Sequence, residues 1–124
     1  MTGFYEITVE DTFSASHSVL LPDGGFEPSH AHEWRVWVTF RSAELNEAGF
    51  VVDFVEAQSA LRQACDELAG GDLNERLAFT TGASAERVAR WFAGRMAVLM
   101  GAAATVHRVA VMEAAGCLAA YMME

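Results

Sequence analysis

His30 and His32 stand on either side of a single alanine in "HAHEWRVWV", at the head of a run that alternates apolar and polar residues. Residues two apart on a strand project to the same face, so the two imidazoles enter one space. Paired ring nitrogens suit a transition metal. Catalytic zinc sites take three protein nitrogens or oxygens and leave a further position open, so a third donor is wanted. His17, near the end of an earlier strand-like segment, supplies it if the two segments pair through the intervening loop. The alternative, loop-edge histidines with no metal, stays open on an H-x-H spacing alone. His107 has no such company and reads as a solvated strand residue.

The elements that must position these rings follow from periodicity. "FYEITVEDTFSASHS" interleaves Phe4, Tyr5, Ile7, Val9 and Phe13 with polar residues, which suits a half-buried strand. "LPDGGFEPSH" is dense in turn formers and predicts a loop. From His32 to Ser42, Trp34, Val36, Val38 and Phe40 fall on one face of a second strand, antiparallel to the first if the loop makes a hairpin. A helix follows, with Asp53 as cap, Glu56 completing a D-x-x-E arrangement, an apolar face of Val55, Leu61, Ala64, Cys65 and Leu68, and a stop at Gly70-Gly71. A second helix spans Ser84 to Met100, with Ser84 as N-cap and Val88, Trp91, Phe92, Met96 and Leu99 on one face. "TVHRVAVMEAAGCLAAYMM" then predicts two strands broken at Ala115-Gly116. The order is strand, strand, helix, helix, strand, strand.

A chain of 124 residues is a single domain, 1–124, without room for a second core. Its 52% hydrophobic content is high for so small a surface and favours a homo-oligomer. A formal charge of −9 argues against nucleic acid and anionic membranes, which need cationic side chains to neutralise phosphate. The N-terminal residues show no basic-then-apolar leader pattern, and the longest apolar run, "MAVLMGAAATV", is too short to cross a bilayer, so a cytoplasmic protein is expected. Cys65 and Cys117 match no metal or redox spacing and are expected to be reduced, buried thiols.

The blocks "FSASH", "HAHEWRVWV", "GFVVDF", "DLNE", "SAERVARW" and "VAVMEAAGCLAAY" resemble, in order and spacing, those of the 6-pyruvoyl- and 6-carboxy-tetrahydropterin synthase family. The resemblance covers nearly the whole chain. It implies an α+β T-fold: a four-stranded antiparallel sheet with two helices on one face, assembled into a barrel and usually stacked as a hexamer. It implies zinc held by His17, His30 and His32, with Ala31 where the family has glycine. It further implies a pterin gripped by Glu113, whose carboxylate matches the paired N–H donors of the ring, and contacted by Ser84 from a neighbouring subunit. For Ser84 a plain helix-capping role is the competing reading.

The chain departs from the family where the usual proton relay sits. "GGFEPSHAH" has no cysteine, and Ala69 and Gly70 stand where an Asp-His pair belongs. None of these replacements can transfer a proton, so the usual synthase reaction is not expected. Glu27, three residues before His30, gives E-x-x-H-x-H, and a branch of the family that cleaves the dihydroneopterin side chain has glutamate in that motif. A solvated loop glutamate is the bland reading. Two functions of different class therefore stay open: a zinc-dependent lyase or aldolase with Glu27 as base, and a non-catalytic pterin-binding or scaffold protein.

Overall fold

The computed structural model describes residues 3–78 and 81–123. Strands β1 (Tyr5–His17), β2 (His30–Ser42), β3 (Val106–Ala114) and β4 (Cys117–Met122) form one antiparallel sheet in the order β1-β2-β3-β4. Helices α1 (Phe54–Leu68) and α3 (Ala85–Met100) lie against it, α1 on β1 and α3 on β3 and β4, with a single turn α2 (Leu73–Arg76) between them. This is the α+β T-fold arrangement, with one short helix that periodicity did not reveal.

The alternation in β2 decides which face is covered. Trp34, Val36, Val38 and Phe40 are fully buried beneath the helices, while Arg35 and Arg41 on the other face pair with Glu10 and Glu6 of β1. Phe13 of β1 stacks on Trp34 with ring centres 6.1 Å apart and meets Phe92 of α3 at 5.6 Å, which ties sheet to helix at the centre of the core. Asp53 caps α1, its Oδ1 accepting from Val55 N–H at 2.8 Å, and Ala57, Ala60, Leu61, Ala64, Cys65 and Leu68 face the core. Val55 does not join them. It is 75% exposed, because it precedes the fully buried Ala57 by two residues, about 200° around the helix, and so points away from the buried face. β3 and β4 meet at the Ala115-Gly116 turn as expected, with Gly116 at φ +83°.

Three further expectations need correction. Strand β2 begins at His30 rather than His32, because the pairing with β1 runs on to the end of that strand. Cys117 is exposed, since it opens the edge strand β4 directly after a turn that no other described element covers. His107 is half-buried near the start of β3. Among the described residues no helix is long and apolar enough to cross a membrane.

Candidate metal centre

The β1–β2 register carries the site. His17 and His30 are direct cross-strand partners, and Ala15 pairs with His32, so three imidazoles share one face at the end of the hairpin. Their ring centres are 4.6–5.2 Å apart. Ala31 lies between them but is exposed and pairs with Ser16, so its methyl points away from the rings. It stands in ordinary extended strand, where alanine serves as well as glycine.

The ring orientations are set from behind. His17 Nδ1 lies 2.8 Å from the carbonyl oxygen of Ala83, and His30 Nδ1 lies 2.9 Å from that of Pro28. A carbonyl only accepts, so each Nδ1 carries the hydrogen and each Nε2 of a neutral ring presents its lone pair. Trp34 packs edge-on against His17 at 4.8 Å and donates its indole N–H to Ala15 O at 3.1 Å, holding the floor of the site. Asn74 fixes the frame: its Oδ1 accepts from Ser18 N–H at 3.1 Å and Ala83 N–H at 3.3 Å, and its Nδ2 donates to Ser18 Oγ at 3.2 Å. Asp72 caps the turn that presents Asn74, accepting from Asn74 N–H and Glu75 N–H. Gly82 closes the frame at φ +98°, where an added Cβ would lie 2.6 Å from Ser18 O.

Glu113 reaches the same space from β3, on the face shared with buried Val109 and Val111. Its Oε1 stands 2.7 Å from His17 Nε2 and 3.3 Å from His32 Nε2. The first is an ion-pair distance only, since the buried Nε2 of His17 has no hydrogen-bond partner. One ligand atom from each of His17, His30, His32 and Glu113 lies within 4.8 Å of the others. An orphaned, fully buried ring nitrogen among three nitrogens and a carboxylate oxygen is a donor set that fits zinc.

Glu27 sits at the rim. Its Oε1 accepts from Val19 N–H at 3.1 Å and lies 3.8 Å from His30 Nε2. Ser84 caps α3, its hydroxyl accepting from Arg87 N–H at 3.3 Å, one residue after the carbonyl that holds His17. Cys65 is remote and inert: burial pushes its thiol up to about 12, with Asp11 adding to the rise. Sequence reasoning named the three histidines and Glu27 but missed Asn74 and the Ala83 carbonyl as their supports, and it gave Glu113 no place among the histidines. The Asp-x-Asn of "DLNE" was the visible trace of the Asn74 turn.

A family model described as 6-pyruvoyl tetrahydropterin synthase matches residues 6–124. Curated proteins give no significant match. Among solved structures, 6-pyruvoyl tetrahydropterin synthase of Caenorhabditis elegans superimposes with a TM-score of 0.81 at 16% identity, over 99% of this chain and 98% of that one. A catalytic-residue mutant of the Plasmodium vivax 6-pyruvoyltetrahydropterin synthase gives 0.79 at 16% identity, over 96% and 97%. An uncharacterized Wolinella succinogenes protein gives 0.78 at 18% identity, over 99% and 100%. At these identities the likeness establishes the shared fold.

Proposed function

Because the chain belongs to the 6-pyruvoyl tetrahydropterin synthase family, we propose that it binds a pterin beside a zinc centre held by His17, His30 and His32, without running the usual synthase reaction. The observation that carries this is the convergence of three histidine nitrogens and the Glu113 carboxylate within 4.8 Å. Glu113 supplies an acceptor pair for the 2-amino and ring N–H donors of the pterin, and Ser84 contacts it from a neighbouring subunit. The proton relay is absent because Ala69 and Gly70 carry no titratable group and the loop before His30 has no cysteine. The working form is a cytoplasmic homo-oligomer, a hexamer. In support, among the described residues no further strand pairs with β4 or with the Tyr5 end of β1, and these edges carry exposed apolar side chains, Tyr5 on β1 and Leu118, Tyr121 and Met122 on β4. Titration with pterins followed by fluorescence tests the reading: saturable binding that is lost in Glu113→Ala is expected, and no saturable binding refutes it.

A second reading is favoured by Glu27. Its carboxylate is held 3.8 Å from His30 Nε2 and tethered to the backbone at Val19, close enough to move a proton on a substrate at the centre. The replaced catalytic residue of the Plasmodium vivax relative is a glutamate, which supports a carboxylate in that role. On this reading the protein is a lyase or aldolase acting on a dihydropterin side chain, and bound zinc would supply Lewis acidity to a substrate oxygen. Glu27→Gln should lower turnover at least ~100-fold. An unchanged rate removes Glu27 as base and leaves pterin binding alone.

A further inference from the structure

Catalytic zinc sites keep a coordination position free, whereas sites closed by four protein ligands are structural. The position that would stay free here is taken by Glu113. Its Oε1 faces two of the three Nε2 atoms, at 2.7 and 3.3 Å, and among the described residues its carboxylate has no other hydrogen-bond or ion-pair partner. The nitrogen nearest to it, His17 Nε2, is buried and lacks a hydrogen bond of its own. Bonds of about 2.0–2.2 Å to a tetrahedral ion space the ligand atoms roughly 3.3–3.6 Å apart. The Glu113 to His32 separation, 3.3 Å, already has that value. The 2.7 Å approach to His17 needs only a small retreat of one flexible side chain.

We propose that Glu113 is a fourth, displaceable ligand of the metal centre, closing it in the ligand-free protein and opening it when a pterin takes the carboxylate. The proposal rests on the reading of His17, His30 and His32 as metal ligands and goes beyond it in giving Glu113 two exclusive states. A carboxylate that accepts a parallel pair of ring N–H bonds must turn both oxygens toward the pterin edge. It then no longer aims a lone pair at the histidine cluster. The pterin thus uncovers a coordination position next to the space it occupies, and without it the centre stays shut to other small molecules. Because coupling between two ligands is reciprocal, the closing carboxylate also lowers pterin affinity by the factor that pterin lowers its hold on the metal.

Zinc affinity, measured by competition with a chromophoric chelator, should be compared among wild type, Glu113→Gln and His30→Ala. The glutamine variant keeps the shape but gives up the anionic donor, and at least a tenfold weaker zinc affinity is expected, with a chelator-treated melting curve matching wild type. Cobalt(II)-loaded wild type should change its visible absorption on adding unsubstituted pterin, which brings no side-chain oxygen to the metal, and move toward the spectrum of cobalt-loaded Glu113→Gln. Equal zinc affinity and identical cobalt spectra in wild type and Glu113→Gln overturn the proposal while leaving the three-histidine centre standing. Failure of wild type to bind either metal overturns both.

Discussion

Asn74 touches no ligand position, yet the structure makes it the keystone of His17. Replacing it by alanine removes one acceptor shared by Ser18 N–H and Ala83 N–H and one donor to Ser18 Oγ. Ala83 N–H keeps a second partner, Ser18 O at 3.3 Å, so the full penalty falls on Ser18 N–H. An orphaned, part-buried N–H costs about 1–3 kcal/mol, and the weakened second bond adds a fraction, so roughly 2 kcal/mol is expected. For a domain of this size that lowers Tm by about 8 °C. The loss should also reach the metal, because Asn74 accepts from the N–H of Ala83, the same residue whose carbonyl orients His17 Nδ1. Outer-shell supports are worth about 10–100-fold in metal affinity, and one bond further out the lower end, about tenfold, applies. Asn46→Ala is the control: its Oδ1 accepts from Ala48 N–H and Phe50 N–H, both at 3.0 Å, in an exposed turn remote from the histidines. Both variants should lose stability by thermal melting, with only Asn74→Ala losing zinc affinity by chelator competition. Unchanged zinc affinity in Asn74→Ala, or an equal loss in Asn46→Ala, would falsify the claim that this frame sets the ring.

Three further outcomes are expected. Gly82→Ala places a Cβ 2.6 Å from Ser18 O at a backbone φ of +98°, so it should destabilise the fold by about 1–2 kcal/mol or more and weaken metal binding, read from denaturant midpoints and metal content. The thiols should separate: Cys117 reacts promptly with a disulfide reagent in the native protein, while Cys65 reacts only on unfolding. Because the Cys65 thiol is raised from 9.0 to about 12, the folded state keeps a proton that the unfolded chain releases. Its contribution is present below pH 9.0 and is lost as pH climbs toward about 12. Cys65→Ala should flatten that part of the stability–pH profile, and an unaltered slope would assign it to other groups.

The alternation through Trp34, Val36, Val38 and Phe40 fixes β2 and its buried face by itself, because a period of two leaves one side chain set for the core. The same rule puts His30 and His32 on one side, and the caps Asp53 and Ser84 mark helix starts through purely local hydrogen bonds. Local pattern was insufficient where exposure depends on what lies overhead. Cys117 sits in an apolar strand, yet no other described element covers it, and Val55 is out of phase with the buried set Ala57, Leu61, Ala64 and Leu68. The turn α2 is four residues long, too short for periodicity to register, and it is Asp72 at its start that makes it visible in three dimensions.

The sequence alone determined the order of the four strands and two long helices and the pairing of His30 with His32 on one face, since each is a matter of residue type at fixed spacing. Only the tertiary structure decided that His17 stands directly opposite His30, that Asn74 and the Ala83 carbonyl lock its ring, and that Glu113, on a strand 81 residues beyond His32, enters the same space. Those relations depend on sheet register and on a loop closing back over β1, and no local propensity encodes a distance between residues so far apart in the chain.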